Sequence, residues 1–202
     1  MRSSKSAKPL HVVPGHAPLP SGHACLWRRL DTMGHDACRY VADELGWLIE
    51  GCAVYAEHDR VATLSYRVRC DEAWRSRSAS VSGWVGSEAL TIDVVHTPGD
   101  RWTVNGRDVP ELAGLIDIDL GFTPATNMSA IRRLDLAVGE RAEIGTVWLD
   151  DADWQIKPLR QIYARAEPQA YDYESPAHHF HARLVTDEAG AIAEYPGLWH
   201  RE

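Results

Sequence analysis

The chain has 202 residues, 45% hydrophobic and 25% charged, a composition that supports an ordinary globular core without disulfide or metal staples. Its 21 basic and 29 acidic residues give a net charge of −8, and so negative a surface repels nucleic-acid backbones and anionic membranes. No apolar run approaches the roughly 20 residues of a membrane span, and residues 1–20, interrupted by Pro9, Pro14, Pro18 and Pro20, lack the apolar core of a secretory signal; the expectation is a cytoplasmic protein with no nucleic-acid partner and no membrane insertion.

Residues 1–20, rich in Pro, Ser, Lys and His, read as a disordered tail, and residues 21–202 as a single domain. Cys25, Cys38, Cys52 and Cys70 form no C-x-x-C pair, so they are expected as reduced packing residues rather than zinc ligands. From Leu26 onward the hydrophobic period is two. Leu64, Tyr66, Val68 and Cys70 alternate with Ser65, Arg67 and Arg69, the pattern of a half-buried strand. Leu90, Ile92 and Val94 alternate likewise, and Pro98-Gly99-Asp100 turns them into a return strand at residues 101–104. Asn105-Gly106 then signals a tight hairpin. Leu120, Ile118 and Ile116 oppose Asp117 and Asp119, and near the end Phe180, Ala182 and Leu184 alternate before a turn at residues 187–190.

Helices are scarce. Val41, Leu45 and Leu48 have roughly helical spacing but Gly46 interrupts them. Residues 126–134 are the better candidate, with Thr126 or Asn127 as N-cap and Ile131 and Leu134 on one face. The chain therefore reads as mainly β, and a sheet this long must curl to protect its edges.

Chemistry concentrates in Asp117-Ile118-Asp119-Leu120-Gly121-Phe122-Thr123-Pro124-Ala125-Thr126-Asn127. Two carboxylates at i and i+2 on a strand share a face. They can chelate a divalent ion, bond sugar hydroxyls, pair with Arg132 and Arg133, or simply tie the loop. His179 and His181 share a strand face beside His178, with no third zinc ligand in view. Trp74-Arg75-Ser76-Arg77 offers either a contact for an anion or sugar or a surface cation–π pair. There is no Gly-x-Ser-x-Gly elbow, His-Glu-x-x-His, P-loop or Gly-x-Gly-x-x-Gly. No cofactor is expected, and no metal.

Taken in order, Trp27-Arg28-Arg29-Leu30, Tyr66-Arg67-Val68-Arg69-Cys70-Asp71, Trp74-Arg75-Ser76-Arg77, Trp102-Thr103-Val104-Asn105-Gly106, the 117–127 segment with Ile131-Arg132-Arg133-Leu134, Gln161-Ile162-Tyr163 and Tyr195-Pro196-Gly197-Leu198-Trp199 resemble a bacterial glycolipid-binding family, formerly a domain of unknown function. Met128-Ser129-Ala130 departs from the Thr-Leu-Pro common in that family. The resemblance implies a spiral β-roll, a large antiparallel sheet wrapped around a single short helix, often dimeric and shaped like the lipoprotein carriers LolA and LolB. Those carriers work outside the cytoplasm, whereas this sequence shows no export signal.

The functional expectation is a non-enzymatic binder of an amphiphile, a glycolipid or lipid-linked sugar, in the concave face of the sheet. Asp117, Asp119, Thr123 and Asn127 would bond headgroup hydroxyls, Arg132 and Arg133 any anionic group, and Trp74, Arg75 and Trp199 complete the candidate site. Two alternatives stand beside it. One is an enzyme on a sugar substrate with Asp117 and Asp119 as acid and base. The other is a dimeric interaction module whose Trp and Tyr residues form the interface.

Overall fold

The computed structural model describes His16 and residues 19–57 and 59–202. Apart from His16, Leu19 and Pro20, the expected tail lies outside the described residues; His16 and Leu19 are buried. Strands β1 (His23–Arg29), β2 (Gly34–Asp43), β3 (Gly46–Glu57), β4 (Arg60–Cys70), β5 (Ser76–Val85), β6 (Glu88–Thr97), β7 (Arg101–Val104) and β8 (Arg107–Asp108) lead to β9 (Asp117–Leu120). Helix α1 (Asn127–Leu134) follows, and then β10 (Arg141–Asp150), β11 (Gln155–Glu167), β12 (Ala170–Ser175), β13 (Phe180–Thr186), β14 (Ile192–Tyr195) and β15 (Trp199–Arg201).

All 15 strands form one sheet, in the order β8-β7-β6-β5-β4-β3-β2-β1-β15-β14-β13-β12-β11-β10-β9. Adjacent strands are antiparallel except β9 and β10, which run parallel with α1 in the crossover between them. The sheet curls until the lead-in to β9 reaches β5. There the Ser76 amide donates to the Ile116 carbonyl at 3.2 Å, and Ser76 Oγ accepts the Ile118 amide at 3.0 Å. The sheet does not close; it wraps around the helix as an open roll.

Alternation dictates the curvature. Along β4, Ala62, Leu64, Tyr66, Val68 and Cys70 are buried while their neighbours face out. Trp27, Trp74 and Trp102 are almost wholly buried, and Trp74 stacks on Trp47 with centroids 4.5 Å apart. Trp27 Nε1 donates to the Ile192 carbonyl at 2.7 Å and Trp102 Nε1 to the Leu115 carbonyl at 3.0 Å, so these two rings are also anchored through their polar ends. The hairpin expected at Asn105-Gly106 is present, with φ of 48° and 76°, the positive pair that a type I′ turn demands. The segment with helical spacing around Val41–Leu48 is instead the hairpin between β2 and β3. Gly46, at φ 117°, starts β3 where a Cβ would lie 2.4 Å from the Asp71 backbone.

The helix forms where expected. It has eight residues, of which Asn127, Met128, Ser129, Ala130, Ile131 and Arg132 are buried, so its stability comes from the enclosing sheet rather than from its own length. Thr126 occupies the N-cap position without capping through its side chain. Its hydroxyl accepts the Leu120 amide and donates to Asp119 Oδ1 instead, each at 3.2 Å. At the C-terminal end Asp135 adopts a left-handed conformation and its amide donates to the Ile131 carbonyl. Two arginines fasten the helix on different sides. Arg132 donates to the Ala189 carbonyl at 3.0 Å and lies over Trp74. Arg133 makes a two-pronged ion pair with Asp117, at 2.7 and 2.6 Å, and Asp117 is 1% exposed.

Removing one partner of such a pair leaves a buried charge uncompensated. Arg133→Met is therefore expected to destabilise the fold by about 3 kcal/mol, and Arg133→Met combined with Asp117→Asn to recover much of that. Urea unfolding of the two variants measures both.

Candidate functional site

The segment between β9 and α1 is held from two sides. From the first half of the sheet, Tyr40 Oη donates to the Ala125 carbonyl at 3.1 Å, and Phe122 packs edge-on against Tyr66. Thr123 Oγ1 donates to the buried Asp36 carboxylate, which also accepts the Tyr66 hydroxyl at 2.9 Å. From the second half, Asn127 Nδ2 donates to Tyr163 Oη at 2.9 Å and Gln161 Nε2 to Asp119 Oδ2 at 2.5 Å. A loop of Gly, Thr and Pro is thus fixed in place by side chains reaching in from both halves.

This loop forms one wall of a half-open cavity of about 330 Å³. Asp119, Gly121, Thr123 and Asn127 line it from the β9–α1 side, and Trp148, Asp151 and Leu159 from β10, its turn and β11. Tyr173, Ser175, His178 and Phe180 line it from β12 and the start of β13, and Tyr195, Leu198 and Trp199 from β14, β15 and their turn. Thr123, Asn127, Ser175, Tyr173, Tyr195 and Trp199 are buried, whereas Gly121 and His178 are exposed and Trp148, Asp151, Phe180 and Leu198 half-buried. The polar floor therefore lies deep and the mouth is edged by aromatic and aliphatic groups. Phe180, Tyr173 and Tyr195 have centroids 6.0–6.2 Å apart, mutually inclined by 50–70°. Trp148 meets His178 edge-on at 5.0 Å. Ser175 Oγ is buried with no hydrogen-bond partner.

Of the residues singled out in the sequence, the structure brings Asp119, Thr123, Asn127 and Trp199 together around this cavity. Asp117 points to Arg133 and is spent on the ion pair. Arg132 serves the Ala189 carbonyl and the Trp74 ring. Trp74, in a left-handed conformation at φ 63°, is a core residue, and Arg75 is exposed on the same turn. Neither Asp117, Arg132, Arg133, Trp74 nor Arg75 lines the cavity. Sequence reasoning did not single out Trp148, Ser175, Tyr173 or Tyr195 as site residues. The period-two pattern of β13 does place Phe180 on the inner face, but nothing local marks the others. Among the described residues no group of three or more His, Cys, Asp and Glu is placed to hold a metal, and no helix is long and apolar enough to cross a membrane.

Two carboxyls, the buried Asp36 and the half-buried Asp119, have strongly shifted acidities. Burial pushes Asp36 up to about 6 from its ordinary value of 3.8, against the opposing pull of the Thr123 and Tyr66 hydroxyls. Burial likewise raises Asp119 to about 6, offset by Gln161 and Thr126 and reinforced by the negative charges of Asp151 and Asp117.

A family model described as "Putative glycolipid-binding" matches residues 24–201. The chain belongs to this family. A crystal structure of a DUF1089-family protein from Pseudomonas aeruginosa is 28% identical, with a TM-score of 0.75 over 92% of this chain and 97% of that one. A beta-barrel-like protein of DUF1849 from Brucella abortus is 9% identical and superposes with a TM-score of 0.50, covering 90% of this chain and 94% of that one; that likeness is one of fold. The search of the curated proteins gave no match.

Because the folded state holds protons on Asp36 and Asp119 that the unfolded chain releases near pH 4, their contribution to stability falls as pH rises from about 4 to about 6. Asp36→Asn removes one of these titrations. Its stability relative to the parent is expected to rise between pH 4 and pH 7; thermal unfolding of both proteins across that range measures the difference, and parallel curves would contradict the assignment.

Proposed function

We propose that the protein is a non-enzymatic binder of an amphiphile, a glycolipid or lipid-linked sugar, and that the 330 Å³ cavity holds the headgroup. The observation that carries the reading is the arrangement of that cavity. Hydroxyl, amide and carboxyl groups of Thr123, Ser175, Asn127 and Asp119 converge on an aromatic-walled recess, the pattern of a small-molecule site. Sugar rings suit it because their hydroxyls need such partners while their apolar faces stack on Trp and Tyr. The volume is near the low end of the roughly 300–1,000 Å³ typical of ligand pockets, enough for a headgroup rather than two acyl chains. Half-buried Trp148, Phe180 and Leu198 at the mouth give an aliphatic tail apolar surface on its way out. The family description supports the same ligand class.

Trp148 and Trp199 both line the cavity, so tryptophan emission reports occupancy. Titration with octyl glucoside is expected to give a saturable change. Trp148→Ala, which removes a half-buried wall, is expected to raise the dissociation constant about tenfold, the weight of one aromatic contact, with little change in melting temperature. A parent protein that gives no saturable response refutes the headgroup reading.

A homodimer in a reducing, cytoplasmic setting is part of the same proposal. Leu26, Val54 and Trp84, each more than 40% exposed, stand on β1, β3 and β5, with β2 and β4 between them, and support self-association through the outer face of the sheet. All four cysteines are free thiols, consistent with that compartment. Trp84→Glu is expected to halve the mass measured by light scattering.

A further inference from the structure

The pairing of β1 with β15 sets an arginine against one wall of the cavity. Buried Cys25 and Trp27 define the inward face of β1, and Arg29, two residues beyond Trp27, continues that face. Trp199 on β15 lies opposite it. On the other side, the pairing of Arg28 with His35 runs on to bring Gly34 beside Arg29, and Gly34 is paired in turn with Tyr55. Gly34 supplies the space this row needs, since a Cβ there would lie 2.2 Å from the Tyr55 Cβ. With no side chain between them, Tyr55 and Arg29 meet across β2. The guanidinium carbon sits 4.5 Å from the Tyr55 ring centroid and 5.1 Å from that of Trp199, each within the roughly 6 Å over which a ring face attracts a cation.

Arg29 is not an ordinary surface cation. Its side chain is 10% exposed. Its Nε and Nη2 donate to the two Asp31 carboxylate oxygens at 3.0 and 2.7 Å. Burial works against its charge, the Asp31 hydrogen bond and the charges of Asp31 and Asp151 favour it, and the net shift of its acidity is upward. Nη1 is buried without a hydrogen-bond partner, so the site does not use the full set of donors. What it uses is the flat plate. A guanidinium gripped along one edge by a carboxylate and lying between two rings has little freedom to turn. Trp199 is 3% exposed and lines the cavity, whereas Arg29 and Tyr55 do not line it. Any effect of the stack on a ligand therefore passes through the Trp199 ring.

We propose that Arg29 is a positioning residue for the cavity: clamped by Asp31 and backed by Tyr55, its guanidinium fixes the Trp199 indole as a rigid wall for the headgroup. The inference rests on the headgroup reading above and adds which wall is braced and by what. It gives a role to the Trp27-Arg28-Arg29-Leu30 segment, whose second arginine faces in while the first faces out to Glu202.

A double-mutant cycle tests the brace. Octyl glucoside affinity is measured by titration calorimetry, at a temperature where melting curves show every variant folded. Arg29→Met is expected to raise the dissociation constant about tenfold in the parent, the weight of one well-placed aromatic contact. In a Trp199→Phe background the same change is expected to cost less than about twofold, because the effect passes through the indole. Arg29→Lys keeps the charge and loses the plate, and is expected to fall with Arg29→Met; Arg28→Met, on the outer face, is expected to bind as the parent does. The near-ultraviolet circular dichroism of the free protein should change in Arg29→Met and not in Arg28→Met. If Arg29→Met does not fold, Asp31→Ala, which releases the fork from its more exposed partner, enters the cycle in its place. Equal losses in the parent and Trp199→Phe backgrounds, unchanged binding by Arg29→Met, or full affinity in Arg29→Lys overturns the brace and leaves the headgroup reading intact. No binding of octyl glucoside to the folded parent overturns both.

Discussion

An eight-residue helix in water is marginal at best, because nucleation costs more than so few hydrogen bonds return. Here such a helix lies inside a curled sheet with Asp117 and Arg133 paired beside it. The pair is nearly dry, and its two parallel hydrogen bonds fix both the distance and the direction of the helix from the edge strand. Once the helix is placed, the β9–α1 loop has a set length and path, and the side chains from β2, β4 and β11 find it where it is. The cavity depends on this placement, since one of its walls is that loop.

The two carboxylates of the Asp-x-Asp sequence illustrate how environment divides identical groups. Asp117 meets a guanidinium and becomes a fastening. Two residues further on, Asp119 meets an amide and a hydroxyl and remains a half-buried acid at the edge of the cavity. The neighbouring acid Asp36 is held in the same way by two hydroxyls from Thr123 and Tyr66. Of these three acids, then, one is held by a cation and two by neutral hydrogen-bond donors.

Much of the fold was legible in the sequence. β4 and β6 announce themselves because one face of each is packed and the other wet, so the residues alternate. The helix was legible from the spacing of Ile131 and Leu134 and from its Thr126 start. The segment around Val41–Leu48 was misleading because two strand ends and a two-residue turn happen to space apolar groups like a helix; Gly46 at the turn was the correct clue. The candidate site was half legible. The polar loop drew attention to Asp119, Thr123 and Asn127, which do line the cavity. Asp117, Arg132 and Arg133 are chemically indistinguishable from ligand groups until their partners are known. Trp148, Tyr173 and Ser175 come from strands remote in sequence, and only the curl of the sheet brings them to the loop.

Almost every ladder in this sheet joins consecutive strands; the exception is β1 with β15, where Trp27 lies opposite Arg201 and Arg29 opposite Trp199. That one seam welds two runs of sequentially paired strands, β1–β8 and β9–β15, into a single sheet. Every side chain lining the cavity belongs to the later run, between Asp119 and Trp199, while the earlier run supplies the outer curve and the props beneath the loop. The molecule therefore separates its duties along the chain. Drift in the first hundred residues bears on how firmly the recess is shaped, and drift in the last eighty on what the recess admits.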